Sequence, residues 1–182
     1  MKLKYVVLWF QLVLSLLLHQ LNAQCPGSPL SILDTDEYLL GALCTLTTTI
    51  TLGNGSSLGG LLGSAIKIGN GGSIRVNNGA QAIVKSPVVI VSGGSGTVSF
   101  ANLKFNTPGT AIKLERSGLL NVTGCVFEGV GLAVQTSNNN IDVTIAQSTF
   151  QQVGKILDMP SSVGTVKISD NQILSANVDA IT

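Results

Sequence analysis

Charge is scarce in this chain: Asp, Glu, Lys and Arg supply only 10% of its 182 residues, and aromatic residues only 4%. It has one His and one Trp, His19 and Trp9, and both lie within the first 23 residues. A chain that loses that segment on processing keeps no imidazole to act as base, to activate a nucleophile or to bind a metal. Basic runs are missing as well, so neither nucleic acid nor an anionic membrane suggests itself as partner. What the chain does have is 45% hydrophobic residues and 21 Gly, with many Ser, Thr and Asn. High apolar content with little charge argues against disorder and suits short buried strands joined by Gly and Asn turns. At this length one domain with a sizeable core is the default.

The first segment reads as an address. Lys2 and Lys4 precede an apolar run from Tyr5 to Leu18, followed by Leu21-Asn22-Ala23, which offers a small residue at a cleavage point. Residues 1–23 are therefore expected to be a signal peptide: the run is short for a membrane span, no basic stop-transfer run follows, and Gln24 does not suit a lipobox before Cys25. The mature chain is then secreted, has 8 basic against 9 acidic residues, and no longer contacts a membrane. Cysteine use agrees with export. Cys25 and Cys44 can close a disulfide worth about 3 kcal/mol on the chain-entropy estimate, while Cys125 reads as a small buried side chain or a lone thiol. Asn54-Gly-Ser and Asn121-Val-Thr are acceptor triplets for N-glycosylation.

Residues 24–44 form a segment of their own. Pro26-Gly-Ser-Pro29 is a turn and Ser31 can cap a helix. Ile32, Leu33, Leu39, Leu40 and Leu43 then recur at roughly helical spacing, with Asp34, Asp36 and Glu37 in the first turn. The spacing predicts a short amphipathic helix that covers one end of whatever follows.

From Thr45 on, the chain repeats. Phe100 and Phe105, Val122 and Phe127, Ile145 and Phe150, and Ile168 and Ile173 each bracket four residues, and the blocks step by 22, 23 and 23. Gly109, Gly131, Gly154 and Asn177 follow the blocks at equal distance, residue types that tolerate positive φ. The alternating pairs Ile50/Leu52, Ile74/Val76, Val98/Phe100, Leu120/Val122, Val143/Ile145 and Val166/Ile168 make one series. Ile66/Ile68, Val89/Val91, Ile112/Leu114, Val134/Thr136 and Leu157/Met159 make a second of the same period. Three strands per turn follow, with the Phe and Ile blocks marking the third. Apolar alternation at spacing two rules out a helical repeat, the fixed Asn of a leucine-rich repeat is missing, and a sandwich would not echo at this period. The fold class expected over residues 45–182 is an all-β parallel solenoid of about six coils, ending within a coil.

Asn121-Val-Thr-Gly-Cys-Val-Phe127 with Gly131, and Ile168-Ser-Asp-Asn-Gln-Ile173 with Asn177, resemble the repeat of the right-handed parallel β-helix family, the pectin-lyase-like group. The resemblance covers roughly residues 42–182 and speaks for rung geometry. It implies a group that includes lyases, hydrolases and epimerases acting on polysaccharides, alongside adhesins and proteins without catalysis.

Catalytic groups must be sought separately. Lyases of the group, as the resemblance implies, cluster Asp around calcium; hydrolases carry adjacent Asp pairs and Gly-His-Gly. Here Glu115, Glu128, Asp142, Asp158, Asp170 and Asp179 are scattered, no Asp-Asp occurs, and no two carboxylates share a column on adjacent rungs. No cofactor is therefore expected, and no catalytic or metal-binding residue can be named. Lys113 and Asp158, two rungs apart in one outward column, read as a loose surface pair. Inward Phe columns leave no exposed aromatic platform, which argues against a dedicated sugar cleft. Outward columns of Thr49, Ser73, Thr97, Leu119, Asp142, Thr165 and of Thr51, Arg75, Ser99, Asn121, Thr144, Lys167 suggest an ice-binding rank only in part, because Leu, Asp, Arg and Lys interrupt it.

The expectation is thus a secreted, non-catalytic surface or matrix binding scaffold. Its partner would be an extracellular polysaccharide, or another chain at an open C-terminal rung. The alternative is a fragment of a polysaccharide-active enzyme whose catalytic rungs lie elsewhere; ice binding is a minor third.

Overall fold

The computed structural model describes residues 29–40, 43–46, 48–60, 65–69, 73–76, 81–85, 88–91, 97–115, 117–137, 140–159 and 164–176. The expected signal peptide, Cys25 and Asn177 lie outside these residues. The fold is an all-β parallel solenoid, as the period implied, with three strands to each winding. From Thr49 on the windings are β4 (Thr49–Leu52), β5 (Ser57–Gly60) and β6 (Ala65–Ile68); β7 (Ser73–Val76), β8 (Ala82–Lys85) and β9 (Val88–Val91); β10 (Thr97–Ala101), β11 (Leu103–Asn106) and β12 (Thr110–Leu114). They continue as β13 (Gly118–Thr123), β14 (Val126–Glu128) and β15 (Leu132–Thr136), then β16 (Ile141–Ala146), β17 (Thr149–Val153) and β18 (Lys155–Asp158). The next winding is begun by β19 (Val166–Ser169) and β20 (Gln172–Ala176). Five full windings and the start of another thus occupy the stretch where about six were expected.

Corresponding strands stack into three faces. The first consists of two ladders, β4-β7 and β10-β13-β16-β19; the second of β5-β8-β11-β14-β17-β20; the third of β6-β9-β12-β15-β18. All pairings are parallel, and the registers follow the apolar series read from the sequence. Ile50 lies on Ile74, Phe100 on Val122 and Ile145, Val89 on Ile112 and Val134, and Phe105 on Phe127. Side chains alternate across a strand, so each winding sends one set of apolar residues inward and the next winding repeats it.

The expected capping helix does not form. Its residues supply β1 (Leu30–Ile32), β2 (Glu37–Leu40) and β3 (Leu43–Leu46), a winding in its own right. Leu30 and Ile32 pair with Ile50 and Leu52, Tyr38 with Leu58, and Cys44 and Leu46 with Ile66 and Ile68. Two physical reasons decide it. A turn at Asp34 and Thr35, with Thr35 at φ 64°, interrupts any helical run. Leu33 and Leu39, counted toward an apolar helix face, are instead exposed at 71% and 36%. The first-face step here, from Leu30 to Ile50, is 20 residues, shorter than later steps, so the regular period does not reach this winding.

The core is one continuous file of side chains. Phe105, Phe127 and Phe150 stack with nearly parallel planes at 5.0 and 5.1 Å between ring centroids, and Phe100 meets Phe105 edge-on at 6.2 Å. Phe100, Phe105, Val122, Phe127, Ile145 and Phe150 are buried, as their columns require. Ile168 and Ile173 depart from that expectation. They keep register with Ile145 and Phe150, yet are 38% and 53% exposed, because no described strand stacks on the far side of β19 and β20.

The glycines also play a different part from the one expected. Gly109, Gly131 and Gly154 do not have positive φ. A Cβ on Gly131 would sit 2.9 Å from the carbonyl oxygen of Pro108, and one on Gly154 would strike that of Gly131, so close approach of windings selects glycine there. Among the described residues left-handed backbone falls instead two residues before Gly131 and Gly154, at Gly129 and Gln152, and at the corner between the first and second faces, at Thr35, Gly55, Asn102, Gly124, Gln147 and Asp170. One residue per turn bends there and donates its N–H to the next winding: Asn102 to Thr123 O at 3.2 Å, Gly124 to Ala146 O at 3.1 Å and Gln147 to Ser169 O at 3.2 Å. The buried side of this corner carries Cys125, Ser148 and Asn171 in file. Cys125 N–H donates to Ser148 Oγ at 3.2 Å, Ser148 N–H to Asn171 Oδ1 at 2.8 Å, and Asn171 Nδ2 to Ile145 O at 2.9 Å.

Candidate binding face

The sites named from sequence are dispersed. Cys44 is buried in β3, and its expected partner Cys25 lies outside the described residues. Asn54 is exposed at a turn, where its Oδ1 accepts the Gln81 N–H at 3.2 Å. Asn121 is half-buried in an outward column between Ser99 and Thr144. Cys125 is a buried thiol with no disulfide, pushed up to about 11 by burial. Its S–H reaches backbone carbonyls of Phe100 and Thr123 at 3.5 and 3.6 Å, which makes it a corner filler rather than a nucleophile.

The carboxylates of the second and third faces are held by local cations. Glu128 pairs with Lys104, and a hydrogen bond from that ammonium holds the carboxyl below its usual range. Lys155 does the same for Asp158 at 2.7 Å, with Gln135 Nε2 a further donor at 3.5 Å. Lys113 turns to Glu115 at 2.9 Å, so the expected loose pair of Lys113 and Asp158 is replaced by two pairs with nearer partners. Lys85 meets Glu37 at 3.2 Å. Among the described residues no group of three or more His, Cys, Asp or Glu side chains is placed to hold a metal ion.

The outer surface of the first face differs. Its two columns are in the register expected: Thr49 beside Ser73, Thr97 beside Leu119 and Asp142, Thr51 beside Arg75, and Ser99 beside Asn121, Thr144 and Lys167. From Thr97 to Lys167 strand alternation points these side chains outward, so hydroxyl and amide groups line up along the solenoid axis at about 4.8 Å per rung. Asp142 is engaged within the face, its Oδ1 accepting the Thr165 N–H at 2.7 Å. Two recesses open on this face, each of about 240 Å³. One is bordered by Arg75, Thr97 and Ser99; the other by Leu119, Asp142, Thr144, Thr165 and Lys167. Among the described residues neither Arg75 nor Lys167 forms an ion pair. Sequence reasoning placed these columns but missed the recesses, because a depression depends on how neighbouring windings meet and leaves no mark in the repeat.

No family model, curated protein or solved structure matches the chain.

Proposed function

We propose that this protein is a secreted, non-catalytic β-helix of the right-handed, pectin-lyase-like type, and that the outer surface of its first face binds extracellular polysaccharide. One observation carries the proposal. From β10 to β19 a column of Ser99, Asn121 and Thr144 runs in register along that face beside Thr97 and Thr165, flanked by Arg75 and Lys167, which form no ion pair among the described residues. A repeating polymer laid along the axis meets a repeating set of hydrogen-bonding groups. With the Phe side chains buried in the core, each contact is polar and weak, so affinity comes from many contacts made at once. Leu119, Asp142, Arg75 and Lys167 break the flat Thr rank that ice binding needs.

The mature chain is to be tested for retention of acidic and neutral polysaccharides, with reducing ends or unsaturated products monitored in parallel. Retention without depolymerisation is expected. Loss of polymer length would favour a polysaccharide-active enzyme, and no retention of any polymer would reject the scaffold.

A further inference from the structure

Among the described residues the ladder of the first face is interrupted once. β7 and β10 belong to consecutive windings, yet no backbone pairing joins them, whereas β8 pairs with β11 and β9 with β12. The interruption divides the windings into two blocks, β1 to β9 and β10 to β20. Each block holds its own ion pairs, Lys85 with Glu37 in the first and Lys104 with Glu128, Lys113 with Glu115 and Lys155 with Asp158 in the second; none of these crosses the junction.

Core burial marks the same place. Leu52 and Leu120 are fully buried, while their rung partners Val76 and Val98, one on each side of the interruption, are only partly buried. Between the two strands lies a recess of about 240 Å³, with Ile74 and Phe100 at its base and the exposed Arg75 and Ser99 at its rim.

The strands themselves are suited to pair. The step from Ile74 to Val98 is 24 residues, as is the step from Ile50 to Ile74 within the joined ladder. At that step Ile74 meets Val98, Arg75 meets Ser99 and Val76 meets Phe100, apolar beside apolar and polar beside polar. In parallel strands alternate residues direct N–H and C=O to the same side, so each edge offers the groups that the other requires. Some Cα atoms of β7 and β10 already lie within 8 Å of each other, against about 4.8 Å in a joined ladder, so a movement there of about 3 Å or less closes the difference. The intact ladders of the second and third faces serve as the pivot and keep the two edges in register.

We infer that β7 and β10 form a zipper, a conformational device at which the solenoid bends between its two blocks, opening the first face in one state and completing its ladder in the other. The structure is the open state. The joined state covers Val76 and Val98 and places Arg75 beside Ser99 at one rung spacing. Both states are accessible because the backbone groups released on opening are taken up by water, which leaves a small net difference per hydrogen bond. The device stands independently of what the first face binds.

Residue-by-residue amide exchange of the mature chain is the first measurement. Alternate amides of β10, those directed at β7, should exchange at least about tenfold faster than the amides of β13, which is paired on both sides. The second measurement is a lock. Arg75→Cys with Ser99→Cys puts thiols at two exposed positions whose Cα atoms come to about 4.8 Å in the joined state, within the range a disulfide accepts. Cys125 is buried and does not compete. Oxidised glutathione should form the bridge; protection of those β10 amides should then rise about tenfold and fall again on reduction. Thr144→Cys with Lys167→Cys, across the ladder that already joins β16 to β19, should bridge equally and leave β10 unchanged. Failure of the first pair to bridge where the second does would overturn the zipper. So would β10 amides as slow as those of β13 before oxidation, or a bridge that leaves their exchange as it was.

Discussion

At the scale of single residues, two buried groups report on the corner and the third face. The Cys125 thiol is raised by burial to about 11, against an ordinary thiol near 8.5 in the unfolded chain. Only the unfolded chain therefore ionises there as pH rises above about 8.5, and the folded state loses stability by up to about 1.4 kcal/mol per pH unit until the folded thiol itself titrates. Urea unfolding between pH 8 and 10 should show this slope reduced in Cys125→Ala. Alkylation of native protein at neutral pH should leave Cys125 unmodified, and rapid modification without unfolding would contradict its burial. Thr136 lies in the inward column beside Leu114, is 2% exposed, and its hydroxyl has no hydrogen-bond partner. Replacing it with Val keeps the shape and removes the orphaned hydroxyl, so Thr136→Val should raise stability by about 1 kcal/mol in denaturant titrations.

Strand by strand, three phenyl rings stack in one file from winding to winding. Phe127 is sandwiched by Phe105 and Phe150, so its truncation opens a cavity that the two neighbouring windings cannot close without losing their own ladders. Phe127→Ala is expected to cost about 3–5 kcal/mol, measured by equilibrium unfolding, and a loss well under 1 kcal/mol would mean the rings do not share one core. The strands themselves were legible because alternation at spacing two and a near-constant step together state both the facing and the partner of each residue. β1 to β3 were not legible, since a shorter first step concealed the echo and the run of Leu and acidic residues imitated an amphipathic helix. At Gly131 and Gly154 the sequence marks where glycine stands, while the carbonyl it must admit belongs to the winding before.

For the molecule as a whole, stability in a solenoid is a sum over windings and the contacts between neighbours. β16 is paired on both sides, and β19 on one side among the described residues. Amides of β19 should therefore exchange with solvent at least about tenfold faster than those of β16, and equal protection in the isolated chain would show that β19 has a further partner. The repeat encoded in the residues was enough to determine the architecture, the three strands per winding and which side chains enter the core, because facing and period are local properties of the chain. Tertiary structure alone decided that Ile168 and Ile173 stay exposed although they pair with Ile145 and Phe150, that the ladder opens between β7 and β10 across an ordinary step from Ile74 to Val98, and that Arg75 and Lys167 form no ion pair among the described residues. Each of these depends on what the adjacent winding presents, and a repeat pattern records position within a winding but not the fit between two of them.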